Sequence, residues 1–161
     1  MKKGNIMLQD AQIIKERLTK QGRTLSTAES CTSGRIAACL TRISGASNYF
    51  QGGLIAYQNH LKTKFLDVEP EDIERYDVVS QPVVEQMVRG ACQFFHTDYA
   101  LASTGYAGDG ANGIPAGTIW IAWGTATDVH SRCLTTDNGR EANTQNAVAQ
   151  VLREFVEYLG S

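Results

Sequence analysis

The sequence predicts an α/β fold, a layered α/β/α single domain built on a mixed β-sheet. Two observations carry this. From Leu8 to Ser103, strand-length apolar runs alternate with stretches of helical period. Residues 118–123 and 129–134 then follow one another directly across a polar turn at Thr127-Asp128. The chain has 161 residues, enough to fill one core and too few for two of ordinary size, so residues 1–161 are expected to form one domain with its core between about 8 and 159.

The elements follow in order. Ala11, Ile14 and Leu18 recur at helical spacing over residues 8–21, and Gly22 ends the run. Residues 24–29 (TLSTAE) form a short strand. The small residues Ser30-Cys31-Thr32-Ser33-Gly34 then mark the start of a helix carrying Ile36, Ala37, Leu40 and Ile43. Such a start offers N–H groups and hydroxyls to an anion, although helix capping alone accounts for the composition. Gly52-Gly53 opens a second apolar run, Leu54-Ile55-Ala56, which reads as a strand ending at Tyr57. Asn59 is placed to cap a helix with Lys62 in its first turn, and residues 70–76 predict another short helix. Ser80 as N-cap and Pro82 in the first turn begin a longer helix. Its stripe of Val84, Met87, Val88, Ala91, Cys92 and Phe95 is core, and His96 ends it. Tyr99 to Ser103 is a buried strand that runs into a glycine-rich loop, Thr104 to Gly113. That loop has neither the Gly-Lys-Ser/Thr of a P-loop nor a GxGxxG in a strand-to-helix context. A final helix over residues 139–159 turns Val148, Val151, Leu152, Phe155 and Leu159 inward.

The densest chemistry lies between Gly45 and Lys62, which holds a hydroxyl (Ser47), a phenol (Tyr57) and an amine (Lys62). A strand that ends at Tyr57 and a helix that starts near Lys62 put both at one rim of the sheet, where open α/β sheets build their sites. A serine beside a lysine cleaves amides when burial leaves the amine neutral enough to take the serine proton, and this chemistry needs no metal. Ser47, in a turn of small residues, is the first choice as nucleophile and Ser30 the second.

Composition narrows the alternatives. A net charge of −2 argues against bulk attraction to nucleic acid or an anionic membrane. The longest apolar runs fall far short of the roughly 20 residues of a membrane span. The N-terminal segment has no signal-peptide core, so a cytoplasmic location is expected. Cys31, Cys39, Cys92 and Cys133 show no CxxC and no ligand spacing with His60, His96 or His130, so free thiols are expected rather than zinc.

Several motifs in order resemble those of the CinA C-terminal-domain family, the nicotinamide-nucleotide amidohydrolases. Thr27-Ala28-Glu29-Ser30-Cys31-Thr32-Ser33-Gly34 resembles the family's TAESCTGG, and Gly45-Ala46-Ser47 with Phe50, Gly52 and Gly53 resembles PGSSxxFxGG. Tyr57 to Lys62 is similar to YSNxxK, Val79-Ser80 to AVS, Thr104 to Gly108 to TGxAG, and Gly117-Thr118-Ile119-Trp120 to VGTVW. The likeness covers the chain from about Leu8 onward. It implies deamidation of nicotinamide mononucleotide to nicotinate mononucleotide and ammonia, without a cofactor. On this resemblance Ser47 is the nucleophile, Lys62 the base, Tyr57 its partner, and Thr104 holds the carboxamide or the serine. Ser30, Thr32, Gly34, Asn59, Gly105, Gly108 and Arg140 are the expected substrate contacts.

The sequence departs from the family pattern at Asp109, where proline is usual, and at Thr144 and Gln145, where an arginine pair is usual. These departures favour the alternative, a non-catalytic or differently specific paralogue that binds a nucleotide-like ligand. A DNA-associated competence role has no support in the charge balance. The chain looks like the stand-alone form, without the molybdopterin-binding-like domain of longer members. The expected partner is a small nucleotide, with no nucleic acid and no membrane. Tyr49 and Phe50, read as exposed, suggest a homo-oligomer contact.

Overall fold

The structure, a computed structural model, describes residues 2–160. Among the described residues a five-stranded sheet runs in the order β2-β1-β3-β4-β5. The strands are β1 (Leu25–Glu29), β2 (Phe50–Ile55), β3 (Tyr99–Tyr106), β4 (Thr118–Gly124) and β5 (Val129–Leu134). β1 pairs parallel with both β2 and β3, whereas β3–β4 and β4–β5 are antiparallel, which makes the sheet mixed as expected. The helices are α1 (Lys3–Gln21), α2 (Arg35–Thr41), α3 (Asn59–Leu66), α4 (Pro70–Tyr76), α5 (Gln81–Phe95) and α6 (Arg140–Gly160).

Alternation along the strands divides the core in two. Leu25, Leu101, Ile119, Ile121 and Trp123 face α1, α2 and α6 and meet Ile14, Leu18, Leu40, Val151 and Phe155. Ala28, Ala100, Ala102 and Ala122 face the other way, against Val84, Met87 and Val88 of α5 and Leu66 of α3. The alanine face lets α5 lie close to the sheet. This is the layered α/β/α architecture that the sequence predicts.

Two glycines set the spacing around the site. A Cβ on Gly90 of α5 would overlap the carbonyl of Leu66, so α3 seats its last turn directly on the α5 backbone. A Cβ on Gly53 would overlap the Thr27 hydroxyl on the neighbouring strand. The predicted ends hold where a backbone conformation marks them, with Gly22 at φ 66° after α1 and His96 at φ 55° after α5. Two caps differ. Gln58, not Asn59, precedes α3, and the buried Ser80 hydroxyl at the start of α5 makes no capping bond. Tyr49 is fully buried and donates its hydroxyl hydrogen bond to the Leu40 carbonyl at 3.1 Å, and Phe50 packs against the core. Tyr49 is therefore interior rather than exposed as expected, and Phe50 is partly buried.

Candidate active site

β1, β2 and β3 are parallel, so their C-terminal ends share one rim. β1 delivers Ser30 one residue past its end, β2 delivers Ala56 and Tyr57, and β3 ends at Thr104, Gly105 and Tyr106. From β1 the chain crosses through α2 on one face of the sheet, and from β2 through α3, α4 and α5 on the other. The crossovers thus leave the rim in opposite directions on either side of β1, the arrangement that opens a crevice in such sheets.

Lys62 sits in the first turn of α3 and is 1% exposed. Its Nζ donates to the Ala56 carbonyl at 2.8 Å, to the Tyr57 carbonyl at 3.2 Å and to Ser30 Oγ at 3.0 Å. Burial pulls its pKa down to about 8. A lysine in this position is readily neutralised near physiological pH and points at a serine hydroxyl. Cys31, next to Ser30, is itself held as the thiol, burial pushing its pKa up to about 11.

A cavity of about 350 Å³ opens onto this pair, within the size range of small-ligand sites. Ser30, Lys62, Tyr57, Asn59, Thr104 and Arg140 all line it, with Gly105, Tyr106 and Asp109. Arg140, at the start of α6, donates from Nη2 to the Tyr57 hydroxyl at 3.0 Å, so the phenol faces the guanidinium while the Tyr57 backbone serves Lys62. The Thr104 hydroxyl donates to the Val78 carbonyl at 3.0 Å and so fastens a wall of the cavity. Gly108 does not line the cavity but backs onto Arg140.

Other expectations part from the geometry. Ser47 lies in the short 3-10 turn before β2, at the N-terminal end of the strand whose C-terminal end carries Tyr57. Six strand residues at about 3.3 Å each separate the two rims, roughly 20 Å. The expected Ser47–Lys62 pair does not form, and Lys62 meets Ser30 instead. Thr32 and Gly34 also lie off the cavity wall. The start of α2 is closed by Glu29, whose carboxylate accepts from the Ile36 and Ala37 N–H groups at 2.9 and 3.0 Å and from the Thr32 hydroxyl at 2.6 Å. Those two N–H groups and that hydroxyl are taken up by Glu29 rather than offered to a substrate anion. Thr144 is buried and returns its hydroxyl to the Arg140 carbonyl, and Gln145 lies beside Met7, Arg35 and Arg42 on another face. Neither departure touches the cavity, and Asp109 does.

Sequence reasoning missed three groups that shape the site. Glu29, which immediately precedes the serine, caps α2 with its carboxylate, a role the sequence analysis does not assign to it. Asn143, one helical turn into α6, donates to the Ala107 carbonyl at 2.8 Å and ties the glycine-rich loop to the helix that carries Arg140. Asp77 binds the Tyr106 hydroxyl at 2.9 Å across the cavity rim. The Asn143 and Asp77 contacts join segments distant in sequence, for which local pattern carries no signal, whereas Glu29 caps a helix that begins only six residues further on. Among the described residues no cluster of three or more His, Cys, Asp or Glu side chains could hold a metal ion, and all four cysteines are free.

Comparison with known proteins places these motifs. The sequence pattern of the CinA C-terminal domain matches residues 8–159. A CinA-like protein of Cytophaga hutchinsonii is 39% identical over 137 residues, which are 84% of this chain and 33% of that protein. A Shewanella oneidensis protein named nicotinamide-nucleotide amidohydrolase PncC is 41% identical over 126 residues, 77% of this chain and 30% of its own length. The chain thus spans about a third of the curated relatives it matches. Among solved structures, a competence damage-inducible protein A from Klebsiella pneumoniae superposes with a TM-score of 0.92 at 29% identity, covering 96% of this chain and 97% of that one. A competence/damage-inducible protein from Agrobacterium tumefaciens gives 0.90 at 31% identity, covering 97% and 96%.

Proposed function

The chain belongs to the CinA C-terminal domain family, and from that premise we propose that it is a metal-independent amidohydrolase that converts nicotinamide mononucleotide to nicotinate mononucleotide and ammonia. The observation that carries the reading is the 3.0 Å contact between a buried lysine and Ser30 Oγ at the floor of a polar cavity. The name of the Shewanella oneidensis relative supports the choice of substrate.

In this reading Ser30 is the nucleophile and neutral Lys62 the general base. Lys62 takes the Ser30 proton as Oγ attacks the carboxamide carbon. The resulting ammonium gives a proton to the amide nitrogen, which leaves as ammonia, and the acyl group remains on Ser30 as an ester. Water, deprotonated by Lys62, then hydrolyses the ester and frees the carboxylate. Arg140 is the cation available to the substrate phosphate, with Tyr57 and Asn59 beside it on the wall. Thr104 acts by holding the wall.

The test is ammonia release from nicotinamide mononucleotide by the wild type, Ser30→Ala, Lys62→Met and Ser47→Ala. Activity lost in the first two variants and kept in the third is expected. A folded wild type that releases no ammonia removes this substrate. Loss in Ser47→Ala with retention in Ser30→Ala overturns the nucleophile assignment.

Asp109 favours a second reading. It sets a carboxylate on the same cavity as Arg140, which weakens the attraction for a phosphate dianion and suits a less anionic amide. Comparing the nucleotide with its dephosphorylated riboside separates the two readings, because the second predicts the higher kcat/KM for the riboside.

A further inference from the structure

Asp77 has a backbone that its side chain does not explain locally. It follows α4 at φ 76°, ψ 156°, a region that essentially only glycine occupies. A non-glycine residue stays there only when its surroundings hold it, and here they do. One carboxylate oxygen accepts from the Val79 N–H at 2.9 Å and from the Tyr106 hydroxyl at 2.9 Å. The other accepts from Asn112 Nδ2 at 2.8 Å. Asn112 is itself at φ 55°, in the loop that follows β3.

These bonds join two stretches far apart in sequence. They are the α4–α5 connection and the end of β3 with the glycine-rich loop that continues it. Val78, Val79 and Tyr106 line the same cavity as the Ser30–Lys62 pair, and the Thr104 hydroxyl fastens the Val78 carbonyl. Ser30 and Lys62 are held by β1, α3 and the Ala56 and Tyr57 carbonyls, none of which Asp77 touches.

We propose that Asp77 is a positioning residue for substrate binding, a carboxylate clamp whose strained backbone fixes the cavity wall and loop without taking part in the chemistry. The kinetic part rests on the amidohydrolase reading, and the clamp itself does not. Its loss opens the wall that grips the substrate and leaves the reacting pair in place.

The decisive variant is Asp77→Gly, because glycine keeps the backbone conformation without strain and removes only the carboxylate. Tyr106→Phe removes one of the clamped donors and keeps the ring. Asp77→Asn keeps an acceptor and is the conservative rescue. Losing hydrogen bonds to a charged group predicts a KM for nicotinamide mononucleotide raised by about tenfold in Asp77→Gly. The kcat is expected within about threefold of wild type, with an unchanged pH profile, because the chemistry is untouched. Asp77→Asn should recover part of the loss, and Asp77→Gly with Tyr106→Phe should be no worse than Asp77→Gly alone.

A second readout needs no substrate. Amide hydrogen exchange over residues 107–113 should speed up in Asp77→Gly while exchange in β1 and α3 stays as in wild type. Unchanged exchange in the loop overturns the clamp. Faster loop exchange with an unchanged KM overturns its link to binding. If the wild type proves inactive on this nucleotide, the exchange experiment still decides whether the clamp exists, so its failure is separable from failure of the functional reading.

Discussion

A neutral lysine has two N–H groups and one lone pair. Two of the three partners of Lys62 Nζ are carbonyl oxygens, which only accept, and the third is the Ser30 hydroxyl, which can do either. When Lys62 loses its proton, the Ala56 and Tyr57 carbonyls hold both remaining hydrogens and the lone pair is turned toward Ser30. The backbone therefore aims the amine at the serine. Activity should rise with pH through about 8 as Lys62 becomes neutral, and a kcat/KM profile flat from pH 6 to 9 would count against Lys62 as the base. Stability carries the same signature. A cation whose folded pKa is lowered binds fewer protons folded than unfolded, so stability rises with pH between the folded pKa of about 8 and the usual lysine value of 10.5. Relative to Lys62→Met, the wild type should gain up to about 1.4 kcal/mol per pH unit in that window, measured by urea unfolding. At the neighbouring position, Glu29→Ala would strand the Ile36 and Ala37 N–H groups and the Thr32 hydroxyl. It should cost on the order of 3 kcal/mol in the same assay, with Glu29→Gln milder.

At the scale of elements, each group proposed as catalytic depends on how its helix is seated. α2 begins where the Glu29 carboxylate meets its N–H groups, which both complements the helix dipole and fixes the turn that carries Ser30. α3 carries Lys62, and its last turn rests on Gly90 of α5, with no room for a methyl group between them. Gly90→Ala should therefore push α3 outward and destabilise the protein by roughly 1–3 kcal/mol. Activity should fall more than stability alone accounts for, because Lys62 moves with the helix. A variant with unchanged Tm and unchanged ammonia release would show that α3 is not positioned by this contact. α6 brings Arg140 to the cavity and, through Asn143, holds the Ala107 carbonyl of the glycine-rich loop.

Across the whole molecule, the sheet separates two rims, and the direction of its strands decides which residues meet. Ser47 and Tyr57 are ten positions apart in sequence yet stand at opposite ends of β2. Ser30 and Lys62 are thirty-two apart and in contact. Ser47→Ala should consequently leave both KM and kcat within about twofold of wild type, since surface substitutions of this kind are usually near neutral.

The sequence by itself determined the layered α/β/α class, most of the elements and several of their ends, because period, glycine stops and short turns are local signals. Its ordered motifs also determined the family. The rim at the end of the second strand, with Tyr57 and Lys62 on it, was legible for the same reason. Only the tertiary structure decided which serine the lysine meets, because that depends on β1 lying parallel beside β2 with its end at the same rim. It also decided that Glu29 closes the start of α2, that Tyr49 is interior, and that Asp77 reaches Tyr106 and Asn112. The Asp77 contacts join segments about thirty residues apart, brought together by packing, and the pattern of neighbours along the chain holds no record of them.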